Sequence, residues 1–301
     1  MLNIINYYLT SGDFPGMGRY TRDMNIPIPD RLHQLDVPPK QLFARGAPLE
    51  SLLATPCVAI VGGRAVSPYG RQVTDILATQ LAERGITIIS GLAFGVDSIA
   101  HKAALRAGGK TIAVLPGSVD EIYPRWHANL AEEIIAKGGA LVSECPLGTP
   151  IIAPSFIFRN RLIAGLADAV LLTEAALKSG SLHTAGFARD QGKDLLAVPG
   201  PVTSPTSIGT NNLIKTGAAV VTVVQDILQV LKLQDDDMPL ITGDSTVEQQ
   251  IIDLMRDGHS DGSALLKQSG LEVTAFNQAL IMLEINGKVR ALGNNMWSLC
   301  R

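Results

Sequence analysis

The sequence predicts an α/β fold, with a doubly wound, mostly parallel sheet followed by a small winged-helix domain. Two observations predict it. Short, continuously apolar runs alternate with amphipathic helical patterns over residues 55–231, which is typical of βα repeats. Residues 246–301 then show three helical patterns and an alternating apolar and polar segment with a turn in its middle.

Seven apolar runs are predicted to be strands of the sheet. Because each run is apolar at consecutive positions, we expect helices to cover both faces of the sheet. Segments such as 70–84 and 129–137 place apolar residues three and four positions apart, which predicts helices between the strands. The domain is therefore Rossmann-like, with strands at 57–61, 86–90, 111–115, 140–143, 169–172, 195–198 and 219–222.

The other segments define the domain organisation. Residues 1–54 lack a strong periodicity, and Pro38 and Pro39 interrupt regular structure, so they are predicted to be a lead-in that packs on the core. Residues 232–245 combine an acidic run with Pro239 and Gly243, which is typical of a linker. In the domain 246–301, the predicted elements are helices at 246–257, 263–269 and 274–286 and a hairpin around 293–295.

Composition limits the possible functions. The 301 residues carry 25 basic and 28 acidic side chains, a net charge of −3, so phosphate binding would need a local concentration of cations. Cys57, Cys145 and Cys300 show no metal-type pairing and are predicted to be reduced, structural thiols. No apolar run reaches the roughly 18 residues of a membrane helix. We expect a soluble, cytoplasmic protein with no metal.

Glycine-containing loops follow the predicted strands. The carboxyl ends of parallel strands share one rim, where ligands bind, and glycine allows backbone N–H groups to approach an anion. Helices predicted to begin near Val96 and Ser181 would add their positive dipole ends. An anion-binding rim is therefore predicted from five loops: Gly62-Gly63-Arg64, Gly91 to Gly95, Pro116-Gly117-Ser118, Lys178-Ser179-Gly180-Ser181 and Pro199-Gly200-Pro201.

The absence of two nucleotide-binding motifs limits which anions the rim could bind. The sequence has no GxxxxGK[ST], and no G-x-G-x-x-G follows the first predicted strand, so triphosphatase and dinucleotide chemistry are disfavoured and no cofactor is expected. Arginine suits phosphate contacts, and aromatic rings stack on bases, so the rim is typical of a single-strand-binding surface. Phenylalanine at alternate positions is equally typical of a core. The candidate side chains are Arg64, Phe156, Phe158, Arg159, Arg161 and Lys178.

Acid–base chemistry is an alternative use of the same rim. Asp97 and His101 lie four positions apart on a predicted helix, and Ser90, Glu144 and Glu174 lie at predicted strand ends. No nucleophile elbow, metal-ligand set or complete Ser/His/Asp order accompanies them, and strand-end carboxylates also cap helices and hold loops. Structural roles are therefore favoured for these five residues.

Together the motifs resemble a bacterial family, DNA-processing protein A, also called DprA or Smf. Their order and spacing match that family, from about Pro27 into the tail. The likeness lies in VAIVGGRAVSPYG (58–70), ISGLAFGVDSIAHKAAL (89–105), TIAVLPGSVDEIYPRWHANL (111–130), GGALVSECPLG (138–148), FIFRNRLIAGLADAVLLTEAALKSGSLHTAGFA (156–188) and AVPGPVTSPTSIGTNNLIKTGA (197–218).

The resemblance implies a homodimer, without catalysis, that binds single-stranded DNA of any sequence, shields it and helps load the RecA recombinase in natural transformation. The binding residues that it implies are Arg64, Arg159, Asn160, Arg161, Lys178, Ser179 and Gly180. Gly62, Gly63 and Phe156 complete the predicted site. Serine is typical of the family at position 63, and no match to the family's small helical domain is seen in 1–26. Three or four cationic contacts predict a logarithmic salt dependence of about −2 to −3 per protomer.

The tail is similar to the family's winged-helix appendage. Its third predicted helix, 274–286, would be the recognition helix, yet it contains Glu284 and neither Lys nor Arg. Phosphate contacts without cations are weak, and the wing adds only Lys288 and Arg290. A protein-contact or regulatory role is favoured over DNA reading.

Two other functions stay open. A phosphoribohydrolase of the cytokinin-activating type could use a related scaffold, but its catalytic arginine and glutamate cannot be placed around a glycine loop here. It would release free base from nucleoside monophosphates. A ligand-sensing regulator would bind a nucleotide at the rim, read DNA with its tail, and prefer duplex to single strands.

Overall fold

The computed structural model describes residues 25–233, 242–293 and 295–299. The chain divides into two compact units, residues 1–233 and 234–301. Most of the segment 1–26, the centre of the predicted linker and Cys300 lie outside the described residues, as does the side chain of Arg290. None of the described helices is both long and apolar enough to cross a membrane.

Within residues 25–233, nine strands form one sheet in the order β1-β2-β6-β5-β4-β3-β7-β8-β9. From β3 to β9 neighbouring strands are parallel, whereas β1 and β2 extend one edge antiparallel. All seven predicted strands are present, with ends that differ by at most two residues. The strands are β1 (Asn25–Ile26), β2 (Leu42–Gly46), β3 (Cys57–Val61), β4 (Thr87–Ser90), β5 (Thr111–Val114), β6 (Ala140–Ser143), β7 (Ala169–Leu172), β8 (Asp194–Ala197) and β9 (Ala219–Val220).

Helices cover both faces of the sheet, as its continuously apolar strands predict. Ala59 of β3 packs in a cluster with Leu162, while its neighbour Ile60 packs in another with Leu77 and Ala100. Successive residues of one strand are thus buried on opposite faces. The helices of this unit are α1 (Asp30–His33), α2 (Leu49–Leu53), α3 (Pro68–Glu83), α4 (Val96–Arg106), α5 (Ala128–Ala136), α6 (Ala153–Leu166), α7 (Ser181–Asp190), α8 (Ile208–Lys215) and α9 (Val224–Val230).

Residues 25–54 hold more regular structure than the sequence predicts. Strand β2 pairs antiparallel with β6, from Phe43 opposite Ser143 to Gly46 opposite Ala140, and the two prolines fall in the connection that precedes it. Leu42 at its start is fully buried, but the rest of the strand is only half-buried. A half-buried strand shows no continuous apolar run, which is why its sequence pattern is weak.

The Cys57 thiol is buried inside the sheet. Burial, reinforced by the Asp168 carboxylate, raises its pKa to about 12. A thiol that stays protonated at neutral pH is a poor nucleophile, which fits the predicted structural role.

The second unit contains, in the described residues, three helices and a hairpin in the predicted order. They are α10 (Thr246–Arg256), α11 (Gly262–Ser269), α12 (Val273–Ile285), β10 (Val289–Gly293) and β11 (Met296–Leu299). Ser245 and Asp261 cap α10 and α11 by accepting backbone N–H groups. Ile252, Leu265 and Leu283 lie in the core of this unit. This order of elements is the one expected of a winged helix, and that assignment stays a prediction.

Candidate functional site

A cavity of about 680 Å³ opens where β3 and β7 end. These strands are neighbours, but the chain continues from β3 to β4 on one side and from β7 to β8 on the other. Such a reversal is the topological switch point at which open α/β sheets bind ligands. The cavity is lined by nine of the ten predicted binding residues: Gly62, Gly63, Arg64, Phe156, Arg159, Asn160, Lys178, Ser179 and Gly180.

The first glycine loop is pressed between β7 and α4. The Gly63 N–H donates to the Glu174 carbonyl at 2.8 Å, and its own carbonyl accepts from the Val96 N–H at 3.2 Å. A Cβ at Gly62 would lie 2.5 Å from the Val96 Cγ2 and 2.7 Å from the Glu174 carbonyl oxygen. At Gly63, the nearest atom to such a Cβ would be 3.4 Å away. A Cβ is therefore excluded at position 62 but accommodated at position 63.

We expect Gly62→Ala to lower the free energy of unfolding by roughly 1–3 kcal/mol, because an added Cβ overpacks this contact. Gly63→Ala is the matched control, with an expected change of less than about 0.5 kcal/mol. Urea denaturation of the two variants and the parent protein measures both values. Equal destabilisation by the two substitutions would contradict the packing described for this loop.

Glu174 holds three segments of the rim together. Its carboxylate is buried and accepts hydrogen bonds from the Ser67 N–H at 2.8 Å, the Ser67 hydroxyl at 2.6 Å and the Thr206 hydroxyl at 2.6 Å. The absence of a side chain at Gly70 leaves the room that this carboxylate fills. All of these partners are donors, so Glu174 acts as an anchor for the loops after β3, β7 and β8.

Arg159 and Asp97 anchor the second glycine loop from inside. The Arg159 guanidinium donates to the carbonyls of Gly91, at 2.8 Å, and Val114, while the Asp97 carboxylate accepts from the Gly91 and Ala93 N–H groups at 3.1 and 3.4 Å. Burial lowers the pKa of Arg159 to about 10, although Asp97 opposes the shift. Burial also raises the pKa of Asp97 against the opposing charge of Arg159.

Asn160 and Arg161 follow Arg159 on α6, but their side chains have different partners. The Asn160 side chain donates to the Gly180 carbonyl at 3.4 Å and so joins α6 to the lysine-containing loop. Arg161 forms an ion pair with Glu144 at 2.6 Å and lies over the Phe158 ring, 3.9 Å from its centre. Arg161 is not among the residues that line the cavity. Both arginines thus have protein partners, and their predicted phosphate contacts stay a prediction.

The helical phase of α6 decides which of its side chains reach the cavity. Phe156, Arg159, Asn160 and Ile163 line it, and their spacing of three, four and seven residues is that of one helix face. Phe158 lies outside the lining. No helix is predicted for this segment from the sequence, although the same spacing indicates one.

Exposed charge at the cavity comes from Arg64 and Lys178. Among the described lining residues these are the exposed cations, whereas the lining carboxylates, Asp97 and Glu174, are engaged by internal donors. The Arg64 guanidinium lies 5.3 Å from the centre of the Phe156 ring. Ser179 and Gly180 lead into the amino end of α7, whose dipole favours an anion. The arrangement suits a ligand that carries both phosphates and flat apolar groups.

Two contacts of this site were missed from the sequence. The Tyr123 ring packs edge-on against Phe156 with ring centres 5.3 Å apart, and Thr206 lines the cavity and binds Glu174. Tyr123 lies in IYPRW, an irregular segment after β5 with no periodic pattern. Such contacts between distant segments leave no local signal in a sequence.

Comparison with known proteins identifies the family. The model of the family described as DNA recombination-mediator protein A matches residues 22–232. The chain belongs to this family. It is 50% identical over 175 residues to Protein Smf of Escherichia coli K12, covering 58% of this chain and 47% of that protein. It is 39% identical over 194 residues to DNA processing protein DprA of Bacillus subtilis, covering 64% and 65%. The chain spans about half the length of the E. coli relative.

Two solved structures of DNA processing protein A share the fold. The protein from Helicobacter pylori, described by its single-stranded DNA binding mode, superposes with a TM-score of 0.64 at 38% identity over 73% of this chain and 98% of that one. The protein from Streptococcus pneumoniae gives 0.63 at 34% identity over 75% and 80%. The resemblance and the α/β fold predicted from the sequence are confirmed.

Proposed function

We propose that this member of the DNA recombination-mediator family binds single-stranded DNA without sequence preference in the cavity at β3 and β7. The supporting observation is that two exposed cations, Arg64 and Lys178, border one cavity together with the Phe156 ring. Phosphates bind the cations and the amino end of α7, and a base stacks on Phe156, whose flat face accepts every base alike. The single-stranded DNA binding described for the H. pylori protein, 38% identical, supports the same ligand here.

We further propose that the protein acts without catalysis, as a homodimer that shields the bound strand and helps load the RecA recombinase during natural transformation. The family description as a recombination mediator supports this role. Asp97 and Glu174, the acidic residues of the cavity, are held by hydrogen bonds from the loops, which favours anchoring over acid–base work. Two short sites on one dimer would raise the avidity for a single strand.

For the second unit we propose a protein-contact role. Helix α12 exposes Ile281, Met282 and Ile285, and it carries no Lys or Arg that could hold phosphates. Exposed apolar side chains on one helix are typical of a contact surface for another protein. Removal of this unit should then leave the affinity of the first unit for single strands unchanged.

Arg64→Glu and Lys178→Glu should each weaken binding to oligothymidylate and to a mixed-sequence strand by about tenfold or more, since a charge-assisted hydrogen bond contributes roughly 1.5 kcal/mol or more. Fluorescence anisotropy with end-labelled strands measures this. Arg189→Glu is the matched control: it makes the same change in net charge at the far end of α7, where Arg189 is exposed. Equal losses in all three variants would rule out a defined site.

The salt dependence of the binding constant reports how many cations contact the strand. With the two exposed cations of the cavity, the logarithmic slope is expected to be about −1.4 per protomer, because each neutralised phosphate of a single strand contributes roughly −0.7. A slope of about −2 to −3 would mean that Arg159 and Arg161 also contact phosphates of the strand. In the same titration, preference for duplex would favour the regulator. In a separate incubation with nucleoside monophosphates, release of free base would favour the phosphoribohydrolase.

A further inference from the structure

Trp126 is an aromatic side chain that is almost fully exposed to solvent. It lies in the short 3₁₀ turn Arg125–His127 that precedes α5, and 87% of its surface is exposed. An indole has a large apolar face whose burial against a partner is strongly favourable, and tryptophan is enriched in contact surfaces. The predicted binding residues do not include it.

The turn that carries Trp126 is fixed in place. His127 is buried, its Nδ1 lies 2.7 Å from the Leu92 carbonyl, and its N–H donates to the Pro124 carbonyl at 2.9 Å. His127, directly after Trp126, and Pro124, two residues before it, are therefore buried and fix the turn, while the indole itself projects into solvent. A side chain mounted on a fixed turn loses little conformational entropy when it binds a flat ligand.

Two aromatic contacts connect the lining of the cavity with the segment that carries Trp126. Phe156 lines the cavity, and Tyr123, three residues before Trp126, packs against it at 5.3 Å. Phe94 follows Ala93, another lining residue, and its ring lies 4.8 Å from that of His127. Tyr123 and Phe94 each leave 45% of their surface exposed.

The charges near Trp126 do not favour a phosphate site. Arg125 is exposed beside it, but Asp120 and Glu121 are exposed on the same connection, so the local charge is not positive. A contact here depends on stacking of flat apolar groups. A nucleobase has such a face, and single-strand-binding proteins stack successive bases on aromatic side chains.

We propose that a single strand leaving the cavity crosses Tyr123 and Phe94 and stacks one base on Trp126. The inference rests on the proposed function, because it extends the path of the same strand. It makes Trp126 a sequence-tolerant stacking platform that adds affinity only for strands long enough to extend beyond the cavity. Its contribution should be insensitive to salt, in contrast to that of Arg64 and Lys178.

Tryptophan fluorescence tests this proposal directly. The chain has two tryptophans, so Trp297→Phe leaves Trp126 as the single reporter. We expect oligothymidylate to quench its emission and an abasic deoxyribose-phosphate strand of equal length to leave it unchanged. The difference between the spectra of the parent protein and Trp126→Phe reports the same signal with Trp297 in place.

Affinity gives the second readout. Trp126→Ala should weaken binding to long oligothymidylate roughly 5- to 150-fold, the range for loss of one stacked base, and Trp126→Phe should retain part of that affinity. Strands short enough to fill only the cavity should bind Trp126→Ala as tightly as the parent protein. The ratio between the two lengths should be the same at low and high salt.

The outcomes separate this inference from the proposed function. If labelled strands bind by anisotropy while Trp126 emission is unchanged, the stacking inference is wrong and the single-strand function stands. If no strand binds, the function itself is wrong. A change in Trp126 emission with protein concentration, in the absence of DNA, would show that a second copy covers the ring and would overturn the inference.

Discussion

Replacing Arg159 with Met is expected to lower the free energy of unfolding of the first unit by about 3–5 kcal/mol, the usual effect of removing one partner from buried charges. The substitution leaves the carbonyls of Gly91 and Val114 without the guanidinium that binds them. It also leaves the buried Asp97 without the positive charge that favours its ionised form. Arg64→Met, at an exposed position, should change the same free energy by less than about 0.5 kcal/mol.

The order of the two substitutions should reverse when affinity for DNA is measured instead of stability. Arg64→Met should lose affinity for single strands with stability intact, whereas Arg159→Met, once corrected for its unfolded fraction, should lose little. Urea denaturation and anisotropy on the same samples give both quantities. A stable Arg159→Met variant that no longer binds DNA would show that Arg159 contacts the strand, as the sequence analysis predicts.

A double-substitution cycle tests how much of the Arg159 penalty comes from the charge of Asp97. Asp97→Asn removes the buried carboxylate while retaining an oxygen that can accept from the Gly91 and Ala93 N–H groups. If the penalty at Arg159 arises partly from the stranded charge of Asp97, Arg159→Met should cost less in the Asp97→Asn background. Strict additivity of the two substitutions would assign the whole penalty to the lost carbonyl contacts.

The sheet was predictable because burial on both faces leaves a strong local pattern. Each strand from β3 to β8 is apolar at consecutive positions, since alternate residues such as Ala59 and Ile60 enter opposite cores. Strand β2 lacks that pattern. Its Arg45 is paired with Glu132 at the surface, at 2.9 Å, so its place beside β6 depends on a pairing between distant segments that no local window contains.

The location of the site was also predictable, but the direction of its side chains was not. Glycine loops after parallel strands must meet at one rim, and the cavity lies there. Arg64 and Arg159 both belong to motifs of the same family, yet one is exposed and the other is buried against Gly91 and Val114. That difference depends on the helical phase of α6 and on the packing of the GLAFG loop, neither of which the residue types specify.

His101 should make the first unit less stable at acidic pH. The Thr111 hydroxyl donates to the Ile88 carbonyl at 2.7 Å, so its oxygen accepts from the His101 Nδ1–H, also at 2.7 Å. This assignment makes Nε2 the unprotonated nitrogen, and it is buried without a hydrogen-bond partner. Burial, reinforced by the electrostatic effect of the neighbouring His127 and Arg159, lowers the pKa of His101 to about 3.

The sign of the pH effect depends on whether the folded or the unfolded state binds the His101 proton more tightly. In the unfolded chain His101 has a pKa of about 6.5, so between about pH 6.5 and pH 3 the unfolded state binds the additional proton. Stability from this group is constant above that window and falls as the pH decreases through it, by about 3 kcal/mol between pH 7 and pH 4. Below about pH 3 both states are protonated and the loss levels off.

His101→Asn isolates this contribution, because its amide can donate to Thr111 in place of Nδ1 but does not titrate. The difference in free energy of unfolding between the parent protein and this variant should shrink by about 3 kcal/mol from pH 7 to pH 4. Asp97, whose pKa is raised by burial, acts in the opposite direction, but it is present in both proteins and cancels in the difference. Parallel stability curves for the two proteins would mean that the His101 ring is protonated or hydrated in the folded state, and the packing around Arg159 would then have to be looser than the buried contacts imply.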